Sequence, residues 1–378
     1  MKAKSVGLYV HIPFCLSKCA YCDFCSFSTK DESLIDGYVN ALCNEIYSYR
    51  EKGISVDTVF FGGGTPSLLS PDSFKKIVNS INFTFDLSEL SEFTVEVNPK
   101  TLSRDKLLQY ISCGVNRISI GMQSIHENEL KKLGRIHNYS DFLSTYNLCR
   151  EMGIANINVD IMYGIPDQTV ESFKSTLEKI VSLKPEHLSV YSLIVEPGTP
   201  LSENINALDI PDDDCVFDMY QACCSLLSSK GYEHYEISNF ALPTFDCKHN
   251  LKYWNTDEYI GVGLSAHSYF GDCRFSNTAT KDDERLLIDY IKGQYTHTER
   301  TVIDINDAIY EYVMLRLRLK NGIVLSSFKE KFGFDFLSGR EDKIKRFANL
   351  GLAALTKDVF SLTEQGLFLS NAILVELL

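Results

Sequence analysis

The first half of the chain repeats one pattern of hydrophobic and polar positions: a short apolar run, a polar or glycine-rich loop, and a segment with helical apolar spacing. Apolar runs bounded by turn residues predict strands, and their alternation with helices predicts βα units in a parallel sheet. Six such units, with polar residues at the strand ends, favour a barrel or partial barrel, although an open doubly wound sheet has the same pattern. The predicted strands cover Val6–Ile12, 56–61, 93–97, 117–121, 157–162 and 188–193.

The last third of the chain predicts a separate, smaller unit. Before it, an acidic stretch at 201–214 is interpreted as a surface connection, and an amphipathic helix is predicted at 216–229. Apolar spacing then predicts a helix from Asp304 to Arg318, with Gly322 as its stop. A small C-terminal α+β domain is completed by helices at 327–332 and 341–350, a strand at Val359–Leu362 and a final helix opening at Thr363.

Composition and charge restrict the class of protein. With 378 residues, of which 44% are hydrophobic and 23% charged, the chain is typical of a globular protein with two or three domains, or with one barrel and an appendage. A net charge of −13 argues against a broad nucleic-acid-binding surface. No long apolar core opens the chain, and no apolar run approaches the roughly 20 residues that span a bilayer. We therefore expect a cytoplasmic protein whose twelve cysteines are reduced thiols.

Three cysteines directly after the first predicted strand form the most informative motif. Cys15, Cys19 and Cys22 follow a C-x3-C-x2-C spacing. Thiolates are soft ligands for zinc or iron–sulfur clusters, and three of them can hold a [4Fe–4S] cluster whose fourth iron stays open to a small molecule. The alternative is a compact zinc site that also uses Cys25, although zinc-binding pairs are usually separated by a longer spacer.

Polar residues at the ends of other predicted strands extend this site. Gly63 and Gly64 permit close backbone approach, and exposed amides there could meet a ligand, although such a loop is often only a turn. Glu96 and Asp160 are carboxylates on otherwise apolar strands. They are either solvated or buried, and a buried carboxylate needs donors such as ribose hydroxyls or an ammonium group.

The cysteine segments resemble the signature of the radical S-adenosylmethionine (SAM) superfamily. The sequence YVHIPFC at 9–15 and CAYCDF at 19–24 is similar to the branch that holds the oxygen-independent coproporphyrinogen III oxidases and the HemW-type haem chaperones. Segments 114–124 and 160–169 resemble the same branch. The resemblance implies a TIM-like partial (β/α)6 barrel, a [4Fe–4S] cluster on the three cysteines, and SAM bound at the open iron and cleaved to a 5′-deoxyadenosyl radical.

The resemblance also implies which residues contact SAM. The GGTP motif matches Gly63 and Gly64 together with Thr65, and a guanidinium fork at Arg135 suits the methionine carboxylate. Without the family, Arg135 would be interpreted as a surface residue at the end of a helix. The positions implied for SAM are Tyr9, Gly63, Gly64, Thr65, Glu96, Gln123, Arg135 and Asp160.

A second motif, HNLKYW at 249–254, matches the H-N-x-x-Y-W motif of the HemW-type chaperones. Histidine is a usual ligand of haem iron, so the resemblance implies that His249 binds haem, with His267 as a weaker candidate. The alternative interpretation is a loop with a hydrogen-bonded histidine and a packing tryptophan.

Two features favour the chaperone over the oxidase. The oxidases carry a fourth cysteine two residues after the third, where this chain has Phe24. They also carry a segment ahead of the cluster strand, whereas few residues precede Tyr9 here. The C-terminal domain resembles the winged-helix-like tail of this branch, for which a packing role is expected rather than DNA binding.

We therefore expect a haem chaperone that delivers haem to an acceptor protein, which could be a transiently bound membrane enzyme. An electron donor such as a flavodoxin or ferredoxin is implied, and nucleic acid is not an expected partner. The alternatives are oxidative decarboxylation of coproporphyrinogen III to protoporphyrinogen IX in porphyrin biosynthesis, and a zinc-stapled interaction protein. The expected divisions are a radical SAM barrel at 1–235, a connecting segment with the haem motif at 236–300, and the C-terminal domain at 301–378.

Overall fold

A large, mostly parallel sheet dominates the computed structural model, which describes residues 5–277, 283–294 and 300–378. The strands are β1 (Val6–Ile12), β2 (Phe14–Cys15), β3 (Phe27–Ser28), β4 (Val56–Gly63), β5 (Glu92–Val97), β6 (Arg117–Gln123), β7 (Asn156–Tyr163), β8 (His187–Ser192), β9 (Glu233–Glu236), β10 (Asn239–Ala241), β11 (Tyr259–Val262), β12 (His267–Phe270), β13 (Cys273–Ser276), β14 (Thr301–Val302), β15 (Ile323–Val324), β16 (Ala353–Leu355) and β17 (Val359–Leu362).

Helices follow most of the parallel strands and cover the outer face of the sheet. They are α1 (Glu32–Tyr47), α2 (Pro71–Thr84), α3 (Arg104–Ser112), α4 (Glu127–Lys132), α5 (Tyr139–Glu151), α6 (Val170–Val181), α7 (Pro200–Glu203), α8 (Asp213–Ser229), α9 (Lys248–Trp254), α10 (Glu284–Ile291), α11 (Ile305–Arg316), α12 (Leu325–Phe332), α13 (Glu341–Asn349), α14 (Glu364–Phe368) and α15 (Ser370–Leu377). Three short 3-10 helices lie at Arg50–Lys52, Pro66–Leu68 and Ile205–Ala207.

The order of the strands confirms the predicted α/β fold with a partial barrel. Strands β1, β4, β5, β6, β7 and β8 are neighbours in chain order, and each pair is parallel. Strand β11 adds a further parallel strand beside β1, whereas β12 to β14 and β10 to β9 extend the two edges with antiparallel pairs. In the described ranges the edge strands β14 and β9 do not pair with each other, so the sheet is open.

Alternation along the strands separates an apolar outer face from a polar interior. In β1, Leu8 and Val10 are buried in the main hydrophobic core, and Tyr9 between them faces the barrel interior beside Phe60. In β7, Ile157 and Val159 belong to the same core. The helices thus cover the aliphatic residues, and the polar ones meet inside the barrel.

Helix α9 closes the barrel at the N-terminal ends of the strands. The backbone amides of Lys248 and His249 donate to the carboxylate of Glu92, the first residue of β5. Lys252 forms an ion pair of 2.8 Å with Asp57 near the start of β4. The stretch predicted as a connecting segment thus contributes β10 to β13 to the sheet and a helical floor to the barrel.

The C-terminal unit has its own three-stranded sheet, ordered β15-β17-β16, and a second hydrophobic core built around Phe328, Phe336 and Phe360. The predicted strand at Val359–Leu362 is β17, and the predicted final helix is divided into α14 and α15. The three-part division of the chain at 235 and 300 stays a prediction. Of the helices in the described ranges, none combines the length and apolar composition that crossing a bilayer requires.

Candidate functional site

A cavity of about 610 Å³ opens at the C-terminal ends of the parallel strands. Most of the residues that the motifs single out line it, although they come from distant parts of the chain. Those on the cavity wall are Cys15, Cys19, Cys22, Gly63, Gly64, Thr65, Glu96, Gln123, Arg135 and Asp160. Among the described residues, the predicted site residues that lie outside this wall are Tyr9, His249 and the weaker haem candidate His267.

The cysteine loop brings three thiols to one end of the cavity, with donors beside two of them. Thr65 donates from Oγ1 to the Cys15 sulfur at 3.5 Å, and Arg135 donates from Nη1 to the Cys19 sulfur at 3.5 Å. Burial raises the pKa of Cys15 and of Cys22, so the thiols are protonated without a metal. Donors next to sulfur suit thiolate ligands, whose charge they stabilise once a metal displaces the protons.

Cys25 has a different environment from the three loop cysteines. It is buried in the hydrophobic core, and its carbonyl oxygen accepts a hydrogen bond from Nε2 of His11 at 2.9 Å. The described ranges contain no group of three or more His, Cys, Asp or Glu side chains spaced to hold a single metal ion. The four-thiolate zinc alternative stays a prediction.

Gly63 and Gly64 allow the loop after β4 to approach the cysteine segment closely. Gly63 has φ of +107°, and a Cβ atom there would lie 2.4 Å from the His11 ring. A Cβ atom on Gly64 would lie 2.7 Å from the carbonyl oxygen of Phe14. The amides expected to meet a ligand have internal partners instead: Gly64 donates to Ile12 and Gly63 to Glu96. Both glycines therefore serve close packing.

Two carboxyl groups on neighbouring parts of the cavity wall influence each other. Burial, and then the nearby Asp160, raises the pKa of Glu96 to about 8. Burial also raises the pKa of Asp160, and a hydrogen bond from Asn158 opposes this shift. Arg117, buried beneath both groups, favours their charged forms. The wall can therefore change its charge near neutral pH.

Arg135 is held against the strand ends and faces the cavity, so it is not a surface residue. Its Nη2 donates to the Gly121 carbonyl at 2.9 Å, and within the described part of the chain its buried Nε has no partner. Gln123 has a left-handed backbone with φ of +70°, and Tyr191 donates to its side-chain carbonyl at 2.9 Å. A guanidinium with one open donor and a fixed amide suit an anionic, polar ligand.

Tyr9 and His249 lie deeper in the barrel. The Tyr9 ring packs on Phe60, and its hydroxyl group bonds Nδ1 of His11 at 3.0 Å. His249 is 1% exposed, with Nδ1 at 2.9 Å from Thr58 Oγ1 and Nε2 at 2.9 Å from the Tyr253 hydroxyl.

Burial and nearby cations lower the pKa of His249 to about 3, so its ring is neutral. Both ring nitrogens are engaged, and in this arrangement the residue holds the floor helix in place. The prediction that it ligates haem remains untested.

Several residues of the site were not found from the sequence. Tyr21 and Tyr191 line the cavity, Asn98 donates to Thr65 at 2.8 Å, and Asn158 donates to Asp160 at 2.7 Å. For Asn158 and Tyr191 the sequence did contain a signal. Polar residues alternate with apolar ones along β6, β7 and β8, and this alternation marks the inner face of the barrel.

Two family models match the chain. The model of the radical SAM superfamily matches residues 9–180, and the model of the HemN C-terminal domain matches residues 303–369. The fold is similar to the solved structure of coproporphyrinogen III oxidase (HemN) from Escherichia coli, with a TM-score of 0.84 and 24% identity, covering 99% of this chain and 90% of that one.

Curated relatives match nearly the whole chain. The heme chaperone HemW of Escherichia coli (strain K12) is 36% identical, covering 99% of this chain and 98% of the relative. HemW of Bacillus subtilis (strain 168) is 37% identical, covering 97% of each chain, and HemW of Lactococcus lactis is 34% identical, covering 98% and 97%. The chain therefore belongs to the HemW family of the radical SAM superfamily.

Proposed function

We propose that this protein is a haem chaperone that binds a [4Fe–4S] cluster, SAM and haem, and delivers haem to an acceptor protein. The observation that carries the proposal is the cavity, in which three thiols face a wall of glycine, carboxyl and guanidinium groups. The names of the relatives point to the same function.

Cys15, Cys19 and Cys22 would hold the cluster, with Thr65 and Arg135 stabilising two of the thiolates. The residues fit this group because three soft ligands come from one loop and the rest of the cavity stays open to a second ligand. With SAM at its open iron, the bound cluster supplies one-electron reductive chemistry.

The remaining wall would hold SAM. The Arg135 guanidinium would bind the carboxylate, and Glu96 and Asp160 would accept from the ammonium group or the ribose hydroxyls. Gln123 would present its amide, and the Gly63–Thr65 loop would shape the wall beside the cluster. Tyr9 would act indirectly, because it packs beneath Glu96 and Gly62.

Haem would be held by His249 only after α9 has rearranged, because both ring nitrogens have hydrogen-bond partners. His267, exposed on β12, is the second candidate ligand. In the cell we propose a cytoplasmic protein that delivers haem to an acceptor, such as a membrane enzyme in a transient complex, and takes electrons from a flavodoxin or ferredoxin.

The test is an anaerobic haem titration of cluster-reconstituted protein, followed by the Soret band. A saturable shift near one haem per chain is expected for the wild type, with weaker binding in His249→Ala. Tyr253→Phe is the matched variant, because it releases Nε2 and leaves the imidazole in place. Equal haem affinity in the wild type and His249→Ala would exclude His249 as the ligand, and the His267→Ala titration would then test the second candidate.

The alternative function is the oxygen-independent oxidation of coproporphyrinogen III. The observation that favours it is the overall fold, which is that of HemN. The position of the oxidases' fourth cysteine is occupied by Phe24, which is 66% exposed at the cavity wall. Absence of specific haem binding together with SAM-dependent consumption of coproporphyrinogen III would establish the oxidase instead.

A further inference from the structure

A chain of hydrogen bonds runs from Asp160, on the cavity wall, into the protein. Asn158 donates from Nδ2 to Asp160 Oδ1 at 2.7 Å and to Ser119 Oγ at 2.8 Å. Asn158 lies directly beside His187 in the register of β7 and β8, and both residues are at most 2% exposed. The orientation of this amide therefore decides whether Asp160 meets a donor or an acceptor.

His187 and Ser189 together fix the orientation of the Asn158 amide. Ser189 donates from Oγ to Asn158 Oδ1 at 3.1 Å, and His187 makes the shorter contact. Its Nδ1 lies 2.6 Å from Asn158 Oδ1, which can only accept, so Nδ1 carries the proton. Burial, and then the charge of Arg117, lowers the pKa of His187 well below its usual value, so the ring is neutral and its Nε2 is an acceptor. One tautomer of His187 therefore holds the amide with its NH₂ group towards Asp160.

Tyr235 selects that tautomer. Its hydroxyl group lies 2.8 Å from His187 Nε2, to which it donates, and it accepts from the backbone amide of Cys247 at 3.2 Å. The donors therefore point in one direction, from Cys247 through Tyr235, His187 and Asn158 to the carboxylate. Cys247 precedes the first residue of α9, so the chain begins at the floor of the barrel.

We propose that His187 is a positioning residue for SAM binding, acting through Asn158 on Asp160. Without a donor at Nδ1, the Asn158 carbonyl oxygen keeps only the longer bond of 3.1 Å from Ser189 Oγ, so the amide is held less firmly with its NH₂ group towards the carboxylate. The inference rests on the proposed role of Asp160 in holding SAM. The positioning role belongs to His187, which lies outside the lining of the cavity.

Two isosteric changes separate positioning from general stability. In His187→Asn the side-chain amide reaches the place of Nδ1 and keeps a donor for Asn158. In His187→Gln the longer amide reaches the place of Nε2 and leaves Ser189 as the remaining donor to Asn158 Oδ1. We expect His187→Asn to bind SAM within about threefold of the wild type and His187→Gln to bind roughly ten- to hundredfold more weakly, the range known for outer hydrogen bonds of metal ligands.

The measurement is the SAM dissociation constant by anaerobic equilibrium dialysis of cluster-reconstituted protein, at equal cluster content. His234→Gln is the control, because His234 is also a buried histidine, 5% exposed, and lies on β9. Tyr235→Phe should weaken SAM binding less than His187→Gln does. Without the Tyr235 hydroxyl group, the His187 tautomer with its proton on Nδ1 is no longer selected, but the ring still has access to it.

The outcomes distinguish the positioning role of His187 from the proposed function of the protein. Weak binding in His187→Gln, restored in His187→Asn and unaffected in His234→Gln, supports the positioning role. Wild-type affinity in His187→Gln overturns it and leaves the proposed function standing. Equal losses in all three variants assign the effect to stability and also overturn it. A wild-type protein that does not bind SAM overturns the proposed function itself.

Discussion

Glu96 is a carboxyl group whose surroundings favour its neutral form. It is buried beside Asp160, and its pKa is raised to about 8. A ligand that brings an ammonium group into the cavity would reverse this preference, because a nearby cation favours the carboxylate. Glu96 would thus lose its proton on binding such a ligand, as the proposed binding of SAM requires.

The first prediction concerns the pH dependence of stability before SAM binds. The unfolded chain releases the Glu96 proton near pH 4.3, and the folded protein holds it to about pH 8. Stability therefore falls as pH rises through this window, by at most about 1.4 kcal/mol per unit for this group. Glu96→Gln should lose less stability between pH 6 and 8, as measured by urea unfolding. Parallel pH profiles in the two proteins would contradict the raised pKa.

The second prediction concerns the hydroxyl group beside Cys15. Thr65→Val removes the donor to the Cys15 sulfur, and hydrogen bonds to sulfur help set the potential of a cluster. The reduction potential of the reconstituted cluster should become more negative in Thr65→Val and stay near the wild-type value in Thr65→Ser, which keeps the hydroxyl. Potentiometric titration measures both. A potential that is the same in all three proteins would show that this bond does not reach the cluster.

At the residue scale, the sequence predicts the residues that line the cavity better than the buried residues that hold them in place. Cys15 follows the first predicted strand, and Glu96 and Asp160 lie towards the C-terminal ends of two others. Parallel strand ends meet at one edge, so their proximity could be expected. Asn158 and His187 are also polar residues on strands, but their contact depends on the register of β7 and β8. Local sequence does not specify that register, and therefore neither the hydrogen bond nor the tautomer could be predicted.

At the scale of elements, α9 is a short helix that depends on its surroundings. It spans seven residues, too few for independent stability, and its first amides are capped by Glu92 from another part of the chain. Its sequence predicts a motif and not a helix, because the helix exists through this remote cap. The strands of the barrel, by contrast, were predictable because each has its own apolar run.

The third prediction follows from this remote cap. Glu92→Ala leaves the amides of Lys248 and His249 and the nearby Arg117 cation without their anion, and we expect a loss of about 2–4 kcal/mol in the free energy of unfolding. The control is Asp212→Ala at the start of α8. This change removes one exposed helix cap and should lower the free energy of unfolding by about 1 kcal/mol. Urea unfolding compares them. Equal losses would show that the floor does not depend on Glu92.

At the scale of the whole molecule, the C-terminal unit is tied to the strand that carries Tyr235. The amide of Lys320 donates to the Tyr235 carbonyl at 3.1 Å, and the amide of Ile237 donates to the Arg318 carbonyl at 2.9 Å. Tyr235 thus links the C-terminal unit, the floor helix and the hydrogen-bond chain that ends at Asp160. A change in any of these parts therefore affects the hydrogen bonds that hold Asp160 on the cavity wall.

The last prediction is that haem and SAM weaken each other's binding, provided that haem is ligated by His249. Ligation requires α9 to leave its place, because Thr58 and Tyr253 occupy the ring nitrogens. That movement breaks the bond from Cys247 to Tyr235, so the Tyr235 hydroxyl group is held less firmly towards His187 and the hydrogen-bond chain that ends at Asp160 is loosened. By linkage each ligand must lower the affinity for the other by the same factor, on the order of tenfold.

The dissociation constant for haem is measured with and without SAM, and that for SAM is measured with and without haem. Each ratio gives the factor by which one ligand lowers the affinity for the other. Tyr235→Phe should bring both factors towards one, because the floor helix and Asp160 are then no longer connected. Thr58→Val is the matched control, since it frees Nδ1 of His249 and leaves the chain to Asp160 intact. Independent binding of the two ligands in the wild type would mean that haem is held away from the floor, on the exposed side of the sheet near His267.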